Sequence, residues 1–198
     1  KVDIYFVAVG GEGLMLLKEW IAGSFEQVIC GERTITIGGG EVHGLSQRGG
    51  STNACLRITP GELIWSPTLP DHSADYYIGL ELQETVRLDA GNLGSNLRKI
   101  GYQTTIITDL NILPTMGILG GNWKKLPRQE DLEGVLQKLE SEKLIKEYVG
   151  IEASKLAEKY IGNTRYSNSI IFGAFVHGQL IRNEFEIKIK KEIALDTI

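Results

Sequence analysis

Only two cysteines occur in the 198 residues, Cys30 and Cys55. They stand far apart and form no Cys-x-x-Cys, so this chain alone offers no ligand set for an iron–sulfur cluster or a structural zinc site. They read as two small buried hydrophobes in a reducing cytoplasm, with a Cys30–Cys55 disulfide as the less favoured alternative. Proline is scarce, at 5 residues, and charged residues make up 23%. That balance excludes a disordered or low-complexity chain. A basic surplus is missing too: 21 Lys and Arg stand against 25 Asp and Glu, a net charge of −4. The densest basic spot, Lys188-Ile189-Lys190-Lys191, is flanked by Glu184, Glu186, Glu192 and Asp196 and reads as a solvated edge. No nucleic-acid partner is expected. No apolar run approaches the ~18 residues of a membrane span. The opening residues already read as a strand, so neither a signal peptide nor a membrane role is expected.

What is abundant is glycine, 24 of 198 residues, against roughly 7% in average proteins. The surplus points to tight backbone turns. The length fits a single domain over 1–198, which can bury roughly 70% of its unfolded surface without staples.

Val2 to Val9 is short, almost continuously apolar and closed by glycine, the profile of a central parallel strand buried on both faces. Gly10-Gly11-Glu12-Gly13 follows, and Leu14 to Ile29 reads as a helix with Gly31 beyond its end. Strand, glycine turn and helix open a doubly wound, Rossmann-like, mainly parallel sheet in a three-layer α/β/α arrangement. Further strands are expected at Arg33–Ile37, Ser51–Ile58, Leu63–Trp65, Tyr76–Leu80 and Gln103–Thr108. Helices are expected over Glu81–Ile100, Leu132–Val149, Ala153–Ile161 and Ser169–Leu180. Glu186–Ile193 alternates as an edge strand or a tail. The charged stretch 123–150 is the candidate helical excursion from the sheet.

Two glycine motifs carry the chemical interest. Gly10, Gly11 and Gly13 sit where a phosphate-binding turn would sit. The dinucleotide fingerprint fails, because the third glycine position is Leu16, no acidic residue closes the second strand, and a Walker lysine is absent. A tight strand-to-helix turn is the competing reading. Six glycines lie between 38 and 50, around Glu41-Val42-His43-Gly44-Leu45-Ser46-Gln47-Arg48-Gly49-Gly50. That stretch gathers a carboxylate, an imidazole, an amide and a guanidinium. Arg48 can grip a phosphate or carboxylate at two points, and Gly49 and Gly50 admit a close neighbour. Composition alone leaves a ligand loop and a self-satisfied surface loop equally open. His72 and His177 lack companions for a metal site, and Asp71-His72-Ser73 is adjacency rather than a triad.

Taken together, Val9–Gly13 and the string His43-Gly44-Leu45-Ser46-Gln47-Arg48-Gly49-Gly50 resemble the gamma-type domain of the 2-oxoacid:ferredoxin oxidoreductases, in wording the indolepyruvate type. Ser66-Pro67, Ala74–Glu81 with Glu84-Thr85-Val86-Arg87, and Ala153–Ala174 with Asn168 extend the likeness over most of the chain. Glu12 departs from the glutamine usual in that family, and Trp123–Gly150 matches nothing specific. The resemblance implies a subunit of a cytoplasmic complex that oxidatively decarboxylates arylpyruvates to aryl-acetyl-CoA and CO₂ while reducing ferredoxin. Thiamine diphosphate, Mg and iron–sulfur clusters are expected on a larger partner subunit, coenzyme A is the co-substrate, and this chain alone binds none of them. Gly10, Gly11, Gly13, Glu41, His43, Gln47, Arg48, Gly49 and Gly50 become the candidates for cofactor or partner contact, with no metal ligand and no catalytic residue assigned. Two alternatives remain: a gamma subunit acting on pyruvate, 2-oxoisovalerate or 2-oxoglutarate, and a stand-alone nucleotide-binding regulatory module.

Overall fold

The apolar content of Val2–Val9 decides its place: β1 is buried at each of its 8 positions. The computed structural model describes residues 1–26, 35–43, 50–89, 92–93, 95–113 and 127–182. Within them β1 lies inside a six-stranded sheet. It runs antiparallel to β3 (Ser51–Pro60), with Val2 opposite Ile58 and Val9 opposite Ser51, and parallel to β4 (Tyr76–Gly79), with Ile4 opposite Tyr76. Beyond β3 comes β2 (Ile35–His43), antiparallel. Beyond β4 come β7 (Thr105–Asp109) and β8 (Glu147–Ile151), both parallel. The order is β2-β3-β1-β4-β7-β8. The expected mainly parallel sheet is present, with β3 as an antiparallel strand between β2 and β1, so β1 is parallel to its neighbour on one edge only. A separate small hairpin joins β5 (Leu88–Asp89) to β6 (Asn92–Leu93).

Because strand side chains alternate between faces, β1 feeds two cores. Ile4, Phe6 and Ala8 pack against Leu14, Leu17, Ile21 and Phe25 of helix α1 (Leu14–Glu26), and against Ile171, Phe172 and Phe175 of α5 (Ser167–Arg182). Tyr5 and Val7 pack on the other side. There they meet Leu82 of α2 (Leu82–Thr85), Leu97 of the 3-10 turn Ser95–Lys99, and Leu136 and Leu139 of α3 (Gln129–Ser141). This is the expected three-layer arrangement. Each fully buried Leu, Ile or Phe contributes roughly 1.5–3 kcal/mol. Aromatic edges tie α5 down: Phe172 meets Trp20 at 6.0 Å and Phe175 meets Tyr76 at 5.1 Å between ring centres. α4 (Ala153–Ile161) ends at Gly162, whose φ of 79° reverses the chain as a left-handed cap.

Four expectations need correction. Gly38, Gly39 and Gly40 belong to β2, which continues to His43, so they lie in the sheet and not in the connection to β3. Their missing side chains are explained by packing: a Cβ on Gly38 would stand 3.0 Å from Ile64, and one on Gly40 3.3 Å from the Pro67 carbonyl. For the same reason Leu63–Trp65 is no strand; the segment covers the face of β2 without joining a ladder. The helix expected over Glu81–Ile100 is one turn, the β5–β6 hairpin and a 3-10 turn. The sequence Asp89-Ala90-Gly91-Asn92 has the chemistry of a reversal. Finally, the helix expected over Leu132–Val149 stops at Ser141, and Glu147–Ile151 returns as edge strand β8 of the main sheet. Lys143, at φ 57°, turns the chain between them. Residues 129–151 therefore pack on and extend the sheet instead of leaving it. Cys30, Gly31, the start of the strand expected at Arg33, 114–126 and Glu186–Ile193 lie outside the described residues.

Candidate functional site

From β1 the chain passes over α1 to β2 and β3 on one side, then returns to β4 on the other. The strand order thus reverses between β1 and β4, and in open α/β sheets ligands bind in the crevice outside the strand C-termini at such a point. The β1–α1 turn, Gly10–Gly13, stands there. Gly11 and Gly13 have φ of 107° and 76°, values an L side chain rarely adopts. The Gly10 N–H donates to the Gly50 carbonyl at 2.7 Å. This bond joins the two glycine motifs that the sequence singled out, and the pairings of His43 with Thr52 and Val9 with Ser51 place both ends of the connecting loop beside the turn. Gly44, Gln47, Arg48 and Gly49 lie outside the described residues. His43 is described as the last residue of β2. Glu41 forms an ion pair with Lys18 of α1, a contact that fastens β2 to the helix.

Acidic groups follow the ends of three adjacent parallel strands: Glu12 after β1, Glu81 after β4 and Asp109 at the end of β7. Glu81 is 0% exposed and Asp109 1% exposed. Each carboxylate is held by backbone donors. Glu12 Oε2 accepts from the Val9 N–H at 2.8 Å. Glu81 Oε2 caps α2 by accepting from Glu84 N–H at 2.5 Å, while its Oε1 accepts from Leu113 N–H at 3.1 Å. Asp109 Oδ2 accepts from the N–H and hydroxyl of Ser154, at 3.0 and 2.5 Å, and so caps α4. Burial nevertheless outweighs these bonds. It pushes Glu12 up to about 8, helped by the neighbouring charges of Glu81, Asp109 and Glu84. It pushes Glu81 up to about 7 and raises Asp109 as well. Glu12 therefore keeps its proton to a higher pH than an ordinary glutamate, which lessens the negative charge that the sequence of the turn suggests.

Close approach also shapes the packing beneath these strand ends. Gly79 ends β4 where a Cβ would come within 1.8 Å of Thr85 Oγ1. That hydroxyl bonds Thr108 Oγ1 at 2.8 Å and the Glu81 carbonyl at 2.6 Å. Glu84, also buried, pairs with Arg87 at 3.2 Å. Among the described residues no group of three or more His, Cys, Asp or Glu is placed to hold a metal ion. Nor does any helix among them have the length and apolarity to cross a membrane. The sequence named the turn but not Glu81 and Asp109, the buried capping carboxylates at the ends of the neighbouring strands.

A model of the pyruvate ferredoxin/flavodoxin oxidoreductase family matches residues 3–195. The chain belongs to this family. Members similar to it include a protein of Archaeoglobus fulgidus named indolepyruvate oxidoreductase subunit IorB, 28% identical over 87% of this chain and 75% of that protein. A protein of the same name from Methanothermobacter thermautotrophicus is 26% identical over 87% of this chain and 76% of its own length. In fold, the family likeness extends to the gamma subunit of a keto/oxoacid ferredoxin oxidoreductase from Geobacter sulfurreducens, at TM-score 0.55 and 18% identity over 100% of this chain and 84% of that one. It also extends to a 2-oxoglutarate:ferredoxin oxidoreductase from Magnetococcus marinus, whose structure holds 2-oxoglutarate, coenzyme A and succinyl-CoA. There the TM-score is 0.59 and the identity 16%, over 99% of this chain and 26% of that one.

Proposed function

We propose that this family member is the smaller subunit of an indolepyruvate-type ferredoxin oxidoreductase. The complex oxidises an arylpyruvate in the cytoplasm, releases CO₂, transfers the aryl-acetyl group to coenzyme A and passes the electrons to ferredoxin. The observation that carries the substrate class is the shared name of the Archaeoglobus fulgidus and Methanothermobacter thermautotrophicus relatives, each matched over 87% of this chain and about three quarters of its own length. Thiamine diphosphate with Mg supplies the carbanion chemistry, and iron–sulfur clusters the electron path, on the larger subunit. This chain's contribution is the crevice beyond β1 and β4. Its turn, with Gly10, Gly11 and Gly13, the end of β2 with Glu41 and His43, and the segment joining β2 to β3 with Gln47, Arg48, Gly49 and Gly50, meet the co-substrate or the larger subunit. The upward shift of Glu12 lessens the charge that would repel an anionic group there.

The test is co-expression with a thiamine-binding, Cys-x-x-Cys-rich subunit, followed by 2-oxoacid-dependent dye reduction over a panel of 2-oxoacids. Arylpyruvates give the highest kcat/KM, and the purified small chain alone is colourless and inactive. Preference for pyruvate, 2-oxoisovalerate or 2-oxoglutarate would replace the substrate assignment. Failure of the two subunits to associate would remove the assignment to such a complex.

A further inference from the structure

We infer that Asn168 is a positioning residue for the β1–α1 turn, which fixes the direction in which the turn presents its backbone N–H groups; the inference rests on the reading of that turn as a coenzyme A or partner contact. Asn168 stands in the first turn of α5 and is 4% exposed. Its Nδ2 donates to the Glu12 carbonyl at 2.8 Å and to the Gly13 carbonyl at 3.2 Å, across a separation of 155 residues in the second case. A trans peptide is planar, with its C=O and the following N–H pointing in opposite directions, and the described chain has no cis bond. The Gly13 carbonyl also accepts from the Leu17 N–H at 3.2 Å as α1 begins, so Asn168 shares that carbonyl with the helix and acts chiefly on the Glu12 carbonyl. With both carbonyls held, the Gly13 and Leu14 N–H groups point away from α5. Neither N–H has an acceptor among the described residues.

The fit is specific to this pair of residues. A Cβ on Gly13 would come within 2.7 Å of Asn168 Nδ2, so the glycine admits the amide. Two carbonyls need a two-hydrogen donor, which a carboxamide has and a hydroxyl or carboxylate lacks. The other end of the amide, Asn168 Oδ1, is buried without a partner. A residue retained for packing alone would avoid that unmade bond.

The experiment compares four variants in the assembled complex, reading KM for coenzyme A, kcat, affinity for the larger subunit and Tm. Asn168→Asp keeps the shape but sets oxygens against the two carbonyls. Asn168→Ser keeps one donor and serves if the aspartate variant fails to fold. Ile171→Val, buried on the same helix, reports a purely structural loss. Gly11→Asn perturbs the turn itself: its side chain enters open space, while the φ of 107° adds backbone strain, so its Tm is read beside its KM and Kd. The expected result is a rise of tenfold or more in KM for coenzyme A or in the subunit Kd for Asn168→Asp, and at least threefold for Asn168→Ser. kcat stays within twofold, and Ile171→Val leaves both KM and Kd within twofold. If Gly11→Asn impairs either constant while both Asn168 variants behave like Ile171→Val, the positioning role is overturned and the turn's role stands. If Gly11→Asn and the Asn168 variants all leave both constants within twofold, the turn's role falls and the inference falls with it.

Discussion

Replacing Glu81 by Gln alters how the fold responds to pH. The Glu81 carboxyl is fully buried behind α2 and is pushed from an ordinary 4.5 to about 7, chiefly by burial. A raised carboxylate pKa means the folded chain keeps a proton that the unfolded chain gives up. Stability is therefore full below pH ~4.5 and declines as pH rises toward 7. A shift of roughly 2.5 units at about 1.4 kcal/mol per unit amounts to ~3 kcal/mol lost across that window. In urea, at ~2 kcal/mol per molar, this is a drop of about 1.5 M in the unfolding midpoint. Glu81→Gln cannot titrate. It keeps one acceptor oxygen for two N–H donors, which costs a constant amount at every pH, but its contribution to the slope vanishes. Midpoints of the wild-type chain and the variant, measured at half-unit steps from pH 4.5 to 8, give the difference directly. The wild type should lose ~3 kcal/mol relative to the variant as pH rises. Parallel curves, or a wild type that gains on the variant with rising pH, would refute the argument that burial outweighs the backbone donors.

Three other outcomes are expected. Gly79→Ala forces a methyl into the Thr85 hydroxyl, 1.8 Å from the new Cβ, and lowers stability by at least ~1–3 kcal/mol as an overpacked site; Thr85→Ala in the same chain recovers part of the Tm. Arg57→Ala strips the buried Asp3 carboxylate of a partner at 3.0 Å while Lys1 remains at 2.8 Å, so the loss falls near the lower end of the ~3–5 kcal/mol for a broken buried pair, read as a denaturant midpoint. Arg48→Lys keeps charge but loses the two-point donor; in the assembled enzyme a roughly ten- to hundredfold fall in kcat/KM with normal assembly marks a cofactor role, weaker assembly at unchanged activity marks an interface role, and values within twofold for Arg48→Ala dismiss both.

The layered sheet was legible because its strands are written in unbroken apolar runs. Val2–Val9 and Tyr76–Leu80 leave little room for another reading, and the Leu17–Ile21 spacing of α1 points to its buried stripe, which Phe25 continues. Legibility failed where packing against a distant segment set the conformation. The glycines of β2 look like a loop until Ile64 and Pro67 are seen lying over them. Glu147–Ile151 continues a helical-looking charge pattern, and only its ladder with β7 makes it a strand. At the site, Gly10–Gly13 and Gly50 could be picked from composition, yet the bond that unites them is tertiary. Glu81 and Asp109 carry no local mark: a carboxylate after a strand is common, and their raised pKa values come chiefly from burial, which only the tertiary fold creates. Asn168 could be noted as a residue of a resembling helix, but its grip on a turn at the other end of the chain has no trace in spacing.

The position of β1 between two later strands has a consequence for biosynthesis. Its partners end at residues 60 and 79, so about 70 further residues must be made after Val9 before both of its edges are covered. At ~5–20 residues per second this leaves an apolar, β-prone octapeptide unpaired for roughly 4–14 s on the ribosome. Segments of that composition are where chains stick to one another. The strand that anchors both cores of the finished protein is thus its chief hazard while it is being made. Yield from an expression host should respond more to slower initiation and chaperone supply than to any change at the surface.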